Sequence, residues 1–263
     1  MNYFKKGLAK IEAINNSRSS KRFANNPIFI EGKRKNKIER SKPTSRTEVL
    51  NFLLSQFNRE TSYLEIGVRN PADNHIHINA NIKYSVDPGV KAIDNPAHFG
   101  IPSDEFFAKL RNREILSNNL KFDVVFVDGL HLADQVDRDI INSLEFIKED
   151  GFIVLHDCNP PSIWHAREDY HYWDTPAEEA WNGSTWKAFL KWRGNASVQS
   201  CCIDSDWGVG VLSKKYSIGK SIDPVNPFYE YNDLDKNRQV YLNLVEYYDF
   251  KRLIEEQFST TTK

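Results

Sequence analysis

Hydrophobic positions recur along this chain with two periods, and each change of period marks an element. Tyr63–Val68, Ile82–Val86, Val124–Val127 and Phe152–Leu155 are short, mostly apolar runs, several of them stopped by an acid and a glycine or a histidine-aspartate pair. Runs of this length read as strands of a parallel sheet, buried on both faces. Between them Val136, Ile140, Ile141, Leu144 and Ile147 return every three or four positions, as do Val49, Leu50, Leu53, Leu54 and Phe57. That spacing predicts one buried face of a helix in each segment. Ser45 and Glu48 have capping-box spacing ahead of the earlier helix, and Asp150-Gly151 ends the later one.

The remaining punctuation extends the pattern. Ser103 is a plausible N-cap for a helix through Leu110, and Glu114–Leu116 reads as a short strand. Thr175-Pro176-Ala177-Glu178 predicts a helix start, with a break near Asn182-Gly183 and a restart at Ser184. Val198–Ile203 and Trp207–Leu212, separated by Asp204-Ser205-Asp206, read as a hairpin. A helix from about Arg238 to Phe258 closes the chain. The whole is an α/β class pattern that ends in an antiparallel hairpin. Its central strand-helix-strand unit aims Asp128, His131, His156 and Asp157 at one edge of a sheet, where ligands of open α/β sheets bind.

Composition narrows the setting. The chain has 263 residues and a formal net charge of -1, enough length for one core with extensions. Only Cys158, Cys201 and Cys202 are present, so no disulfide framework is indicated. With no long apolar stretch, neither a membrane span nor a signal peptide is read, and a cytoplasmic setting is expected. Residues 1–48 hold 13 Lys or Arg against 4 Glu. Such a run reads as a solvated, partly disordered basic arm, and no nucleic-acid partner is expected because the basic patch does not continue into the core. Three segments follow: an arm over 1–43, a domain over 44–215 with an aromatic-rich insertion at 160–195, and a helical extension over 216–263. Five of the six tryptophans lie between Trp164 and Trp192.

Asp87 lies 20 residues after Gly67, at the end of the second strand, a spacing that suits an acid accepting hydrogen bonds from a ribose. A turn-forming Asp-Pro is the other reading. Taken with Leu64-Glu65-Ile66-Gly67, Phe122–Gly129, Gly151–Asp157 and the hairpin, the order resembles the class I S-adenosylmethionine-dependent methyltransferases. It is similar to their small-molecule O-methyltransferase branch, which includes bacterial glycan and macrolide enzymes. The resemblance implies a Rossmann-like, mostly parallel seven-stranded sheet with helices on both faces. It also implies that Glu65, Gly67 and Val68 line the methionine portion of S-adenosylmethionine, that Asp87 holds the ribose, and that Asp104 or Asp128 approaches the adenine. In its metal-dependent branch, Asp128 and Asp157 would hold Mg2+, with Asn159 or His156 completing the shell. Cys158 stands at the third-ligand place, and a thiol suits magnesium poorly, so the metal stays an open question. His131, three residues after Asp128, takes the place of the base, and His156 is a second candidate.

The function expected is methyl transfer to a hydroxyl of a sugar or glycosylated small molecule, with a homo-oligomer left open. A nicotinamide oxidoreductase should show Gly-x-Gly-x-x-Gly after the first strand, and this chain does not. A metal-dependent hydrolase using Asp128, His131, His156 and Asp157, and a non-catalytic binding protein on the same fold, remain as alternatives.

Overall fold

The computed structural model describes residues 25–89, 94–117, 119–223 and 226–261. The first element is α1 (Pro27–Ser41), capped by the Asn26 side chain, which accepts from the Ile28 N–H. Next come α2 (Arg46–Ser55), β1 (Ser62–Ile66), β2 (Ile82–Val86), α3 (Ser103–Arg111), β3 (Phe122–Val127), α4 (Ala133–Phe146) and β4 (Ile147–Leu155). The chain continues through α5 (Thr185–Arg193), β5 (Gln199–Ile203), β6 (Val209–Ser213), α6 (Tyr231–Tyr241), β7 (Leu244–Val245) and α7 (Tyr247–Thr261). The strands form one seven-stranded sheet in the order β2-β1-β3-β4-β6-β5-β7, in which β6 alone runs against the others.

Alternate residues of β3 face different cores, which is why its apolar run is unbroken. Val125 and Val127 pack with Phe106, Phe107, Val136, Ile140 and Phe189 of α3, α4 and α5. Val124 and Phe126 pack with Leu50, Leu53, Phe250 and Ile254 of α2 and α7. Helices therefore cover both faces. Parallel pairing of β1, β2, β3 and β4 puts all four carboxyl ends on one edge.

Four expectations change. Glu114–Leu116 forms no strand, because Arg113 and Leu116 take positive φ and the segment turns. The seventh strand is instead β7, which pairs with β5 at the opposite edge of the sheet. The helix expected from Thr175 is a series of turns; Thr175 Oγ1 accepts from the Ala177 N–H, but Glu178 leaves the helical region at φ 53. The single C-terminal helix is two, divided at Asn243, whose side chain donates to the carbonyls of Ser200 and Ile218. The helix of the central unit stops at Phe146, and Ile147–Asp150 already belong to β4.

The basic arm also changes character where it is described. Over Pro27–Ser41 it is a helix that docks through Gly32, Asn36 and Glu39, while Ile28, Ile30 and Ile38 stay exposed. Asn36 Nδ2 donates to the Ala177 carbonyl at 3.1 Å, and its Oδ1 lies 2.6 Å from His165 Nε2. A Cβ on Gly32 would lie 2.2 Å from the Pro176 carbonyl. The docking face is polar and small, so apolar periodicity gives no sign of it. The helical hint at Tyr3–Ile14 and the cations Arg18, Lys21 and Arg22 lie outside the described residues.

Candidate active site

The carboxyl ends of β1 and β3 cross almost in contact. Gly67 has φ 91, and a Cβ there would lie 2.3 Å from the Asp128 carbonyl oxygen, so only glycine allows the two tips to meet. The Asp128 N–H donates to Ile66 O and the Gly67 N–H to Val86 O, which ties three strand ends together. At the tip of β2, Asp87 accepts from the Val68 N–H at Oδ2 (2.9 Å) and from the Gly89 N–H at Oδ1 (2.7 Å).

The tips of β3 and β4 bring the expected acids and histidines together. Asp128 Oδ1 is 3.4 Å from His131 Nε2 and 3.2 Å from His156 Nδ1. Asp157 Oδ2 is 3.0 Å from His131 Nδ1 and 3.2 Å from His156 Nδ1. Asp157 holds this position with φ 61, a left-handed conformation that costs a non-glycine residue on the order of 1 kcal/mol. Two more residues complete the cluster. Arg46, the first residue of α2, has Nε 3.5 Å from Asp128 Oδ2 and Nη1 3.3 Å from Asp206 Oδ2. Asp206, at the hairpin tip with φ 46, accepts from the Arg46 backbone N–H and lies 3.3 Å from His156 Nε2, without good hydrogen-bond alignment.

Each ring nitrogen of His131 and His156 faces carboxylate or carbonyl oxygens, an arrangement that favours the imidazolium form of both rings. Burial works to lower their pKa values, but Asp157 and Asp128 outweigh it and raise both, His156 the more. Burial works equally to raise the acids. The surrounding cations outweigh it and keep Asp128 and Asp206 well below the usual carboxylate range. Three carboxylates thus face two imidazoliums and one guanidinium, a balanced set, as buried ions require.

Such a set fits a divalent cation. Asp128, His131 and Asp157 each present one ligand atom, all within 4.8 Å of one another. Exchanging two imidazolium protons for one doubly charged ion leaves the cluster's charge unchanged. Cys158 takes no part: it is buried against Gly210, and burial raises its thiol far above the ordinary value. Asn159 also turns away, toward Asp204 and Arg238.

The nucleoside side is uneven. Asp87 remains half-buried and, among the described residues, accepts one hydrogen bond at each carboxylate oxygen, which leaves a lone pair on each to suit two vicinal ribose hydroxyls. Gly67 and Asp128 also keep accessible surface. Glu65 and Val68 do not. They are 3% and 2% exposed. Glu65 Oε2 instead accepts from Tyr63 Oη (2.7 Å) and Asn74 Nδ2 (3.1 Å) and lies 3.1 Å from His75 Nδ1, anchoring the β1–β2 loop. That loop has two short 3-10 turns in place of a helix, and Asn70 bonds Asp73 and Ala72 within it. Asp104, in the first turn of α3, is paired with Arg138 at 3.1 Å on the surface. Two clefts, of about 350 and 310 Å³, lie among α1, the 159–164 segment and α6 and include no residue of the cluster.

Arg46, Asp206 and Trp181 were not visible as site residues in the sequence. Arg46 reads there as a helix start and Asp206 as a turn residue. Trp181 belongs to a short segment that encloses His131: its ring stacks on the imidazole at 4.9 Å and 14°, and its carbonyl lies 3.1 Å from Nδ1. Ser184 N–H donates to His131 O, and Ser184 Oγ accepts from the Ala133 N–H, capping α4. An Asn-Gly following a tryptophan was the available signal.

A family model described as a methyltransferase domain matches residues 25–158, just over half of the chain. The chain belongs to this methyltransferase family. The match contains β1 to β4 and both tips of the cluster, whereas Trp181 and Asp206 lie beyond it. No curated protein matches this methyltransferase. Among solved structures it is similar to the O-methyltransferase from Bacillus cereus in complex with SAH, at 13% identity over 71% of this chain and 89% of that one, with TM-score 0.39. The O-methyltransferase TomG from Streptomyces achromogenes, in complex with SAM, is 14% identical over 71% and 88%, with TM-score 0.39. MycE from the mycinamycin biosynthetic pathway, in complex with Mg, SAH and mycinamycin VI, is 17% identical over 67% and 50%, with TM-score 0.36. Among the described residues, no helix is long and apolar enough to cross a membrane.

Proposed function

We propose that this chain transfers a methyl group from S-adenosylmethionine to a hydroxyl oxygen of a sugar or glycosylated small molecule, assisted by a divalent cation at Asp128 and Asp157. One observation carries the reading: carboxylates and imidazoles at the tips of β3 and β4 converge on the edge that also bears Gly67 and Asp87. Membership of a methyltransferase family supports the reaction class. When bound, the cofactor would supply an electrophilic methyl group and a cation held by Asp128 and Asp157 would acidify an acceptor hydroxyl. The chain's own residues do the rest. His131, left outside the cation's shell, would receive the hydroxyl proton at Nε2, the more loosely held of its nitrogens, once that nitrogen is deprotonated. His156 orients both aspartates, and Arg46 offsets their charge. Trp181 shields one face of His131, and Tyr170 and Trp173 extend that aromatic array outward, Trp173 at 52% exposure. Such faces suit stacking on a sugar ring.

Calorimetry with S-adenosylhomocysteine, with and without Mg2+, tests the proposal. Binding is expected, and Asp87→Asn should weaken it about tenfold, the loss of roughly one charged hydrogen bond. No heat under either condition ends the methyl-transfer reading. It would favour a non-catalytic binding protein on the same fold, a reading to which the closed Glu65 and Val68 already lend weight.

A further inference from the structure

Asp157 sits one residue beyond the last sheet hydrogen bond, the His156 N–H to Val127 O, and does so in a strained backbone conformation. Something other than the sheet must hold the segment Asp157–Pro161 in place. Its second and third amides are tied to the hairpin tip, Cys158 N–H to Gly208 O and Asn159 N–H to Trp207 O, each at 2.9 Å. Pro160 and Pro161 have no N–H to offer, so the remainder can be held only through its carbonyls and the Asn159 side chain.

Those groups are met from outside the sheet, chiefly by the C-terminal extension. Arg238 of α6 donates through Nη1 to Asn159 Oδ1 and to Pro160 O (3.0 Å). Its Nη2 donates to Tyr231 Oη (2.9 Å) and Asp235 Oδ1 (2.8 Å), and Tyr231 Oη donates in turn to Pro160 O (3.0 Å). Asn159 Nδ2 donates to Asp204 Oδ1 at 2.9 Å, and Lys42 Nζ reaches the same oxygen at 2.8 Å. Lys35 Nζ donates to Pro161 O at 2.7 Å. Arg238 is largely buried, at 19% side-chain exposure, and while its Nη1 meets two residues of the segment its Nη2 is held by Tyr231 and Asp235, two positions that a lysine's single ammonium cannot occupy at once.

We infer that Arg238 is a positioning residue for Asp157, acting through Asn159 and Pro160, so that a helix about 80 residues downstream sets the geometry of the cation site. It touches none of the reacting groups. The inference rests on the reading of Asp157 as a cation ligand, and the experiment separates the two. Mn2+ affinity is measured by electron paramagnetic resonance on the full chain and on Arg238→Met, Arg238→Lys, Asp157→Asn and Arg59→Met. Amide exchange of Asp157, Cys158 and Asn159 is followed in parallel. Arg59 pairs with Asp123 and Asp150 and serves as a control for general loss of stability.

Arg238→Met is expected to weaken Mn2+ binding at least tenfold and to speed exchange of Cys158 and Asn159 at least tenfold. Arg238→Lys should recover part of each, and Arg59→Met should change neither. Wild-type affinity in Arg238→Met, or a loss matched by Arg59→Met, overturns the inference. If wild type and Asp157→Asn bind Mn2+ alike, the cation reading fails. The positioning role is then decided by exchange alone, and unchanged protection in Arg238→Met overturns it.

Discussion

Gly67 shows how much a single position can decide. Its positive φ and the 2.3 Å gap from a hypothetical Cβ to Asp128 O mean that Gly67→Ala must push β1 and β3 apart at the cluster. A loss of at least ~2 kcal/mol in urea unfolding is expected from strain plus displacement; a loss below ~0.5 kcal/mol would show that the tips are not packed as described. Asp139 of α4 offers a test by pH. It is buried, its Oδ1 accepts from Ser103 Oγ and Gln135 Nε2, its Oδ2 has no partner among the described residues, and burial pushes its pKa up to about 6. A folded pKa above the unfolded value means that its contribution to stability is complete below about pH 4 and is lost as pH rises through 6. Asp139→Asn should therefore be more stable than wild type by ~2 kcal/mol at pH 7.5 and equal to it near pH 4, measured by urea midpoints. Equal midpoints at both pH values would contradict the burial argument.

At the scale of elements, the docking of α1 depends on a neutral histidine. His165 is fully buried, lies 2.6 Å from Asn36 Oδ1 through Nε2 and 2.7 Å from Ser162 Oγ through Nδ1, and burial pulls its pKa down to about 3. A depressed base contributes stability above its unfolded pKa of about 6.5 and loses it as pH falls toward 3. By pH 5 the contact should have lost ~2 kcal/mol. Amide exchange in residues 33–41, corrected for its intrinsic pH dependence, should then rise at least tenfold from pH 7.5 to pH 5. Unchanged protection would mean that the neutral imidazole does not hold the helix. Asn36 shows why sequence reading gave this segment to a solvated arm. Its contact with the domain is made by an amide, a glycine and a glutamate, residues that helix periodicity counts as the solvent face.

At the scale of the molecule, the C-terminal extension is part of the core. Phe250 and Ile254 of α7 are fully buried against α2 and the inner residues of β3 and β4, each worth roughly 1.5–3 kcal/mol of burial. Removal of residues 231–263 should therefore abolish a cooperative melting transition, monitored by near-UV circular dichroism. A truncated chain melting within ~5 °C of the full chain would mean that the extension is an appendage.

The strands, the face of each early helix and the acid at each strand tip were legible in the sequence, because alternation and helical period act between residues a few positions apart. Asp128, His131, His156 and Asp157 could be placed on one edge for the same reason: one strand-helix-strand unit contains all four. The short strand at Glu114–Leu116 was misread, since two left-handed residues leave no pattern in hydrophobicity. Folding alone chose the partners of those four residues. Arg46 and Asp206 reach them from 82 positions before Asp128 and 49 positions after Asp157, across contacts made only when α2 and the hairpin pack on the sheet. Charge balance in a buried cluster depends on distance in space, and no spacing along the chain encodes it.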